Sequence, residues 1–223
     1  MQFSAGSCGQ SFWAYSAAIE AVSRTRPARA ISQARIGKDV AVNRWQERFP
    51  QLFARSAFEW GGVASGDLEI QFSLALPPDE LVSNVKVIGR AAGGVVVCQS
   101  DQGWRFLPGG TREAGEAVTE TARRELLEEA GASIVGGLHW IGAFEVNNPR
   151  SRPYRPHLPH PVSYWLYVVG DVTFEGGPTN PADGEPVIEV LTLPPPEAVN
   201  YLAAFDNGQL TDVLRLAIAM GHV

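Results

Sequence analysis

The chain has 223 residues, of which 45% are hydrophobic and 19% charged, and its formal net charge is −6. That composition is ordinary for a soluble globular protein and allows one domain with extensions or two small ones. The acidic balance excludes a general electrostatic hold on a nucleic-acid polymer or an anionic membrane, and no apolar run approaches the length of a membrane span. Two cysteines, Cys8 and Cys98, imply no disulfide framework, so a reducing compartment and a cytoplasmic location are expected.

Residues 1–40 combine Ser, Ala and Gly with scattered arginines (Arg24, Arg26, Arg29, Arg35) and read as a flexible N-terminal extension. Residues 1–8 have no basic region and no continuous apolar region of a signal peptide; the arginines of 21–40 suit a eukaryotic transit peptide, but an unstructured or over-long N-terminus is the simpler reading. Residues 41–80 are expected to give a helix and a strand packed on the main domain. Trp45, Phe49, Leu52, Phe53 and Phe58 recur at roughly helical spacing, interrupted by Pro50. Residues 67–76 then alternate apolar and polar as a half-buried strand does, and Pro77-Pro78 ends them. Such a strand should pair with an edge of the following domain.

The main domain, residues 81–223, opens with strands over 84–89 and 94–98, and a short one over 104–106. A Pro-Gly-Gly turn at 108–110 leads into a helix over 117–130. Two long strands come next, over 138–146 and 161–169, then one over 188–193 that Pro194-Pro195-Pro196 ends, and two helices over 197–205 and 210–220. The order fits a mixed sheet between helices better than a regular βαβ repeat.

Most of the chemistry is concentrated in the first helix. Glu125, Glu128 and Glu129 stand at i, i+3 and i+4, so they leave one face together, and their mutual repulsion slightly destabilises an isolated helix. Hard divalent cations such as Mg²⁺ take carboxylate oxygens and remove that cost. The opposite face reads Val118, Ala122, Leu126, Ala130, an apolar stripe suited to docking on a core. Gly131 stands where a left-handed helix terminus is expected. A merely solvated acidic helix accounts for the charge, but not for the Pro-Gly-Gly entry or for the register of the residues after it.

That register, with Gly110, Glu116, Arg124, Glu125, Leu126, Glu128, Glu129 and Gly131, resembles the Nudix box; Ala132 fills its final hydrophobic place, a departure that bears on packing. The resemblance covers residues 81–205 and implies an α/β fold, the Nudix-type α/β/α sandwich with a mixed β-sheet, here with an N-terminal helix-strand extension. It implies that Glu125, Glu128 and Glu129, with Gly110, hold Mg²⁺ or Mn²⁺. Arg124 is expected to orient a box carboxylate, and Glu116 to shape the loop or simply to suit the helix N-terminus. Family members often recruit a further glutamate from a later loop, and Glu185 is preferred here over Glu189.

The implied activity is hydrolysis of a pyrophosphate bond in a nucleoside diphosphate linked to another moiety, of the ADP-ribose, nucleotide-sugar or (d)NTP type. Residues 149–161 hold five prolines, Arg150, Arg152, Arg155, His157 and His160, and no acid. A stiff, arginine-bearing loop suits one wall of a phosphate pocket, with Arg152 and Arg155 on phosphate and Tyr154 stacked on a base; the plainer reading is an exposed proline-rich connector. His157 and His160 make a poor zinc site without paired cysteines. Trp104 and Arg105, just before the turn, are further substrate candidates. Pro149 lies near the place of a proline common in members acting on ADP-ribose. The alternative is a Nudix-fold ligand sensor or interaction module without turnover. Its best support is the N-terminal segment, which suits a partner or a homodimer interface, and the full set of box carboxylates counts against it.

Overall fold

Among the described residues of the computed structural model (44–58, 68–181, 186–205 and 208–223), nine strands form a single mixed sheet. The chain divides into two compact units, Met1–Glu47 and Arg48–Val223. The extension expected over 1–40 lies outside the described residues, and the sheet belongs to the second unit. Its strands are β1 (Ser56–Phe58), β2 (Leu68–Ser73), β3 (Val82–Ala91), β4 (Gly94–Ser100), β5 (Arg105–Phe106), β6 (Gly109–Thr111), β7 (Ala132–Asn147), β8 (Val162–Phe174) and β9 (Val187–Leu193). The helices of that unit are α1 (Pro50–Phe53), α2 (Val118–Ala130), α3 (Pro195–Ala203) and α4 (Gln209–Ala219). The spatial order is β1-β2-β7-β8-β3-β4-β5, with β6 on β3 and β9 on β4. Neighbours run antiparallel except β3 and β8, which are parallel.

The branching of β3 positions the site. Its last residues, Arg90 and Ala91, pair with Val95 and Gly94 of β4. Its earlier residues Asn84, Val85 and Lys86 pair instead with Thr111, Gly110 and Gly109 of β6. Gly109 and Gly110 read as part of a turn over 108–110 in the sequence, because glycines carry little strand propensity. The long-range ladder with β3 makes them a strand, and so fixes the entry to α2 against the centre of the sheet.

Helix α2 forms where expected. The Ala117 N–H donates to Glu120 Oε2 at 2.8 Å, the returning half of a capping box. At the other end Gly131 has φ 61°, the left-handed value a β-carbon disfavours, and its N–H donates to Leu127 O at 3.0 Å. Ala122, Leu126 and Ala130 are fully buried and join Val85, Val87, Val96 and Cys98 in the core, with Val118 packed at its margin. The apolar stripe thus docks the helix, and the acidic face is left toward β6.

The N-terminal strand pairs as its alternation requires. Leu68, Ile70 and Phe72 are buried while Glu69 and Gln71 are exposed, and the strand runs antiparallel to β7. Phe72 stands edge-on between Phe53 and Phe144, at 5.5 and 5.1 Å between centroids. Phe58 lies in β1 rather than in a helix: α1 begins at Pro50 and stops when Ala54 turns extended, at φ −70° and ψ 144°. The C-terminal helices also agree with the sequence pattern, except that Pro195 and Pro196 open α3 as well as ending β9. The whole is the α/β/α sandwich that the resemblance implies. Among the described residues, no helix is long and apolar enough to cross a membrane.

Candidate functional site

The site is assembled where β6 meets α2. The Gly109 N–H donates to Glu129 Oε2 at 2.6 Å. The Glu125 carboxylate occupies the space a side chain at Gly110 would need: a β-carbon there would lie 2.5–2.7 Å from its three terminal atoms. A side chain at 110 would therefore force the Glu125 carboxylate to move. Glu125 is only 7% exposed, an unusual place for a carboxylate.

Arg124 organises the surrounding carboxylates. Its Nε lies 2.9 Å from Glu116 Oε1, and its Nη1 lies 2.9 Å from Glu125 Oε1 and 3.0 Å from Glu128 Oε2. Its Nη2 donates to the Thr111 carbonyl at 3.0 Å, which ties the helix to β6. Glu116 also accepts from the Glu113 N–H and the buried Thr121 hydroxyl, both at 2.9 Å. Burial would raise the Glu116 pKa, but the bonds from Arg124, Glu113 and Thr121 outweigh it and hold it below the ordinary carboxylate value. Burial likewise opposes the charge on Arg124, and Glu116 and Glu125 more than restore it.

Glu125 and Glu129 shift the other way. Burial raises Glu125 despite the Arg124 and Lys86 charges. Burial pushes Glu129 up to about 7, against the opposing pull of Lys86 and the Gly109 N–H. Desolvated, like-charged oxygens on one helix face form the donor set a hard divalent cation takes. The chemistry of the set fits such an ion, with Glu125, Glu128, Glu129 and the Gly110 carbonyl as the groups that would hold it. As the side chains stand, their oxygens are turned to Arg124 and Gly109, and among the described residues no group of three or more His, Cys, Asp or Glu is arranged to hold an ion.

Lys86 belongs to no motif in the sequence, yet it reaches the site. It extends from β3 to the Gly109 carbonyl, to which its Nζ donates, and stands 5.8 Å from the Phe106 ring centroid. The available signal was a lone charge inside the apolar run Val85-Lys86-Val87-Ile88.

The loop 149–161 is fastened to the residues that enter the box. Arg155 Nη1 lies 2.5 Å from Glu113 Oε1, and His157 Nε2 lies 2.9 Å from the Arg112 carbonyl. Tyr154, Arg150, Thr111, Asn84 and Trp165 line a small cavity of about 40 Å³ beneath it. Arg152 is exposed. Trp104 and Arg105 lie instead beside α3: the Trp104 ring is 6.4 Å from Phe205, and Arg105 stands 4.4 Å from the Tyr201 ring centroid and donates to the Tyr201 carbonyl. Glu185 lies outside the described residues. Glu189, its competitor, lies with Oε2 3.3 Å from the Tyr201 hydroxyl.

The family model for the NUDIX domain matches residues 81–214. The chain belongs to the Nudix family. Among solved structures it is similar to the Bacillus subtilis pyrophosphohydrolase BsRppH, with 20% identity over 75% of this chain and 98% of that one and a TM-score of 0.51. It also matches the MutT protein of Bacillus halodurans (22% identity, 59% of this chain and 78% of that one, TM-score 0.40). A third match is the NUDIX domain of Shewanella oneidensis NrtR complexed with ADP ribose (20% identity, 61% and 88%, TM-score 0.44). The first of these likenesses bears on the fold alone. Compared with curated protein sequences, the chain finds no significant match. The Nudix match begins at β3 and so leaves out α1, β1 and β2, the N-terminal addition to β7.

Proposed function

We propose that this Nudix protein is a divalent-metal-dependent hydrolase that cleaves a pyrophosphate bond in a nucleoside diphosphate linked to another moiety, of the ADP-ribose, nucleotide-sugar or (d)NTP type. One observation carries the reading: Glu125 and Glu129 meet the Gly109–Gly110 backbone, and Arg124 ties Glu128 to Glu125 beside them. Bound Mg²⁺ or Mn²⁺ would supply charge neutralisation on the phosphates and a water acidic enough to attack. The carboxylates bind, and Arg124 orients Glu125 and Glu128 by charge-assisted bonds while Glu116 holds Arg124 from behind. Glu185 is the proposed proton acceptor from the attacking water. Arg152 and Tyr154 on the loop, with Arg155, are proposed to meet the phosphates and base, and Trp104 and Arg105 to border the pocket from the α3 side.

A panel of ADP-ribose, sugar nucleotides, dinucleoside polyphosphates and oxidised and normal dNTPs tests this, with Mg²⁺ or Mn²⁺ and with Glu129→Gln as comparison. Wild type should release phosphate-containing products, and the variant should lose on the order of 10³-fold in kcat, since a ligand to the ion is removed. No metal-dependent turnover on any member of the panel would return the chain to the ligand-sensor reading.

A further inference from the structure

Arg124 serves three of the four acidic side chains at the site: its ion pairs run to Glu116, Glu125 and Glu128. Glu129 is linked to a different cation through Gly109. The Lys86 ammonium donates to the Gly109 carbonyl, and the N–H of that same glycine donates to Glu129 Oε2. Register fixes the arrangement, because Lys86 of β3 pairs with Gly109 of β6. The ammonium also stands 5.8 Å from the Phe106 ring centroid, so its charge has two partners at set places. A lysine needed only to cap a carbonyl has no reason to sit among buried carboxylates; one that balances their charge does.

We propose that Lys86 is an internal counter-cation of the box carboxylates, holding Gly109 and Glu129 in place before a divalent ion arrives and opposing that ion electrostatically once it is bound. The proposal rests on the reading that these glutamates hold a divalent ion. It makes Lys86 a positioning residue with a measurable cost, since two positive groups within several ångströms repel even through a protein-like dielectric. Removing the charge therefore has two opposite effects. The metal-free protein loses a stabilising partner, while the ion gains affinity.

The test uses the full chain as wild type, Lys86→Met, Lys86→Gln and Lys86→Arg. Mn²⁺ binding without substrate is followed by electron paramagnetic resonance, and melting is recorded with and without Mn²⁺. Lys86→Met should melt below wild type in chelator, bind Mn²⁺ on the order of tenfold more tightly, and recover most of the difference at saturating Mn²⁺. Lys86→Gln keeps a neutral donor for the Gly109 carbonyl and should also bind more tightly; it carries the test if the methionine variant does not fold. Lys86→Arg should bind as wild type does. Unchanged or weaker Mn²⁺ binding in both neutral variants, beside a wild type that binds, would overturn the role given to Lys86 and leave the metal reading standing. A wild type that binds no Mn²⁺ would overturn both.

Discussion

At the scale of single residues, the candidate site carries a cost in stability. Glu129 is ionised at physiological pH only against burial, and its pKa of about 7 stands above the ordinary value of 4.5. A carboxylate whose pKa is raised on folding adds stability that is full below the unfolded value and is lost as pH rises through the folded one. In chelator, wild type should therefore weaken as pH rises from 4.5 to 8, and Glu129→Gln should weaken less. At pH 8 the variant should be the more stable by roughly 1–3 kcal/mol, because the shift converts at about 1.4 kcal/mol per unit and the glutamine oxygen still accepts from Gly109. Thermal melts at stepped pH check this, and equal slopes would show that Glu129 is not desolvated. Gly110→Ala probes the neighbouring contact. Its methyl group would strike the Glu125 carboxylate, so the variant should displace that side chain and lose on the order of 10²-fold in kcat with little change in KM. The helical spacing that puts Glu125, Glu128 and Glu129 on one face is readable in sequence. The approach of Glu125 to Gly110 is not, because it depends on how β6 docks against α2.

Among the elements, the loop 149–161 and the strand β6 show what local pattern can and cannot supply. The arginines and prolines of the loop mark it as unusual, but its attachment does not follow from them. Arg155 closes on Glu113 and His157 on the Arg112 carbonyl, contacts across more than forty residues of sequence. Arg155 is thus already engaged by a carboxylate, whereas Arg152 is exposed. Separate variants should distinguish the two. Arg152→Ala should raise KM for the substrate without changing stability. Arg155→Ala should do so as well, and should also loosen the loop, visible as faster amide hydrogen exchange over 150–160. The exposed ion pair itself contributes little to global stability, about 0–1 kcal/mol. Identical kinetics to wild type in both variants would make the loop a connector. Lys86 illustrates the same limit from the strand side: its partner Gly109 is assigned by the β3–β6 register, a non-local pairing that no window of sequence around either residue contains.

For the molecule as a whole, the Nudix match covers residues 81–214, yet the sheet extends past it by β1 and β2. The alternation of Leu68, Ile70 and Phe72 makes that strand legible; its choice of β7 as partner is set by packing. Phe72 lies 5.1 Å from Phe144, a fully buried ring of β7 that in turn meets Tyr167 of β8 at 5.9 Å, and Phe53 of α1 covers Phe72 from the other side. The added segment is therefore part of the core. Two truncations separate the parts. A chain beginning at Arg48 keeps the whole second unit and should fold cooperatively and retain the proposed metal-dependent activity; a large loss would show that residues 1–47 contribute to that activity. A chain beginning at Leu81 keeps the entire box but uncovers the β7 edge and the Phe144 face. Exposed edges of that kind recruit other strands, so this chain should aggregate or melt far lower although no residue of the site is missing. Phe72→Ala in the intact chain gives the graded version. Deleting a buried ring costs about 3–5 kcal/mol, and the loss should appear in the melting temperature while KM at a permissive temperature stays near wild type. A KM that rose in step with the loss of stability would instead place β2 beside the bound substrate.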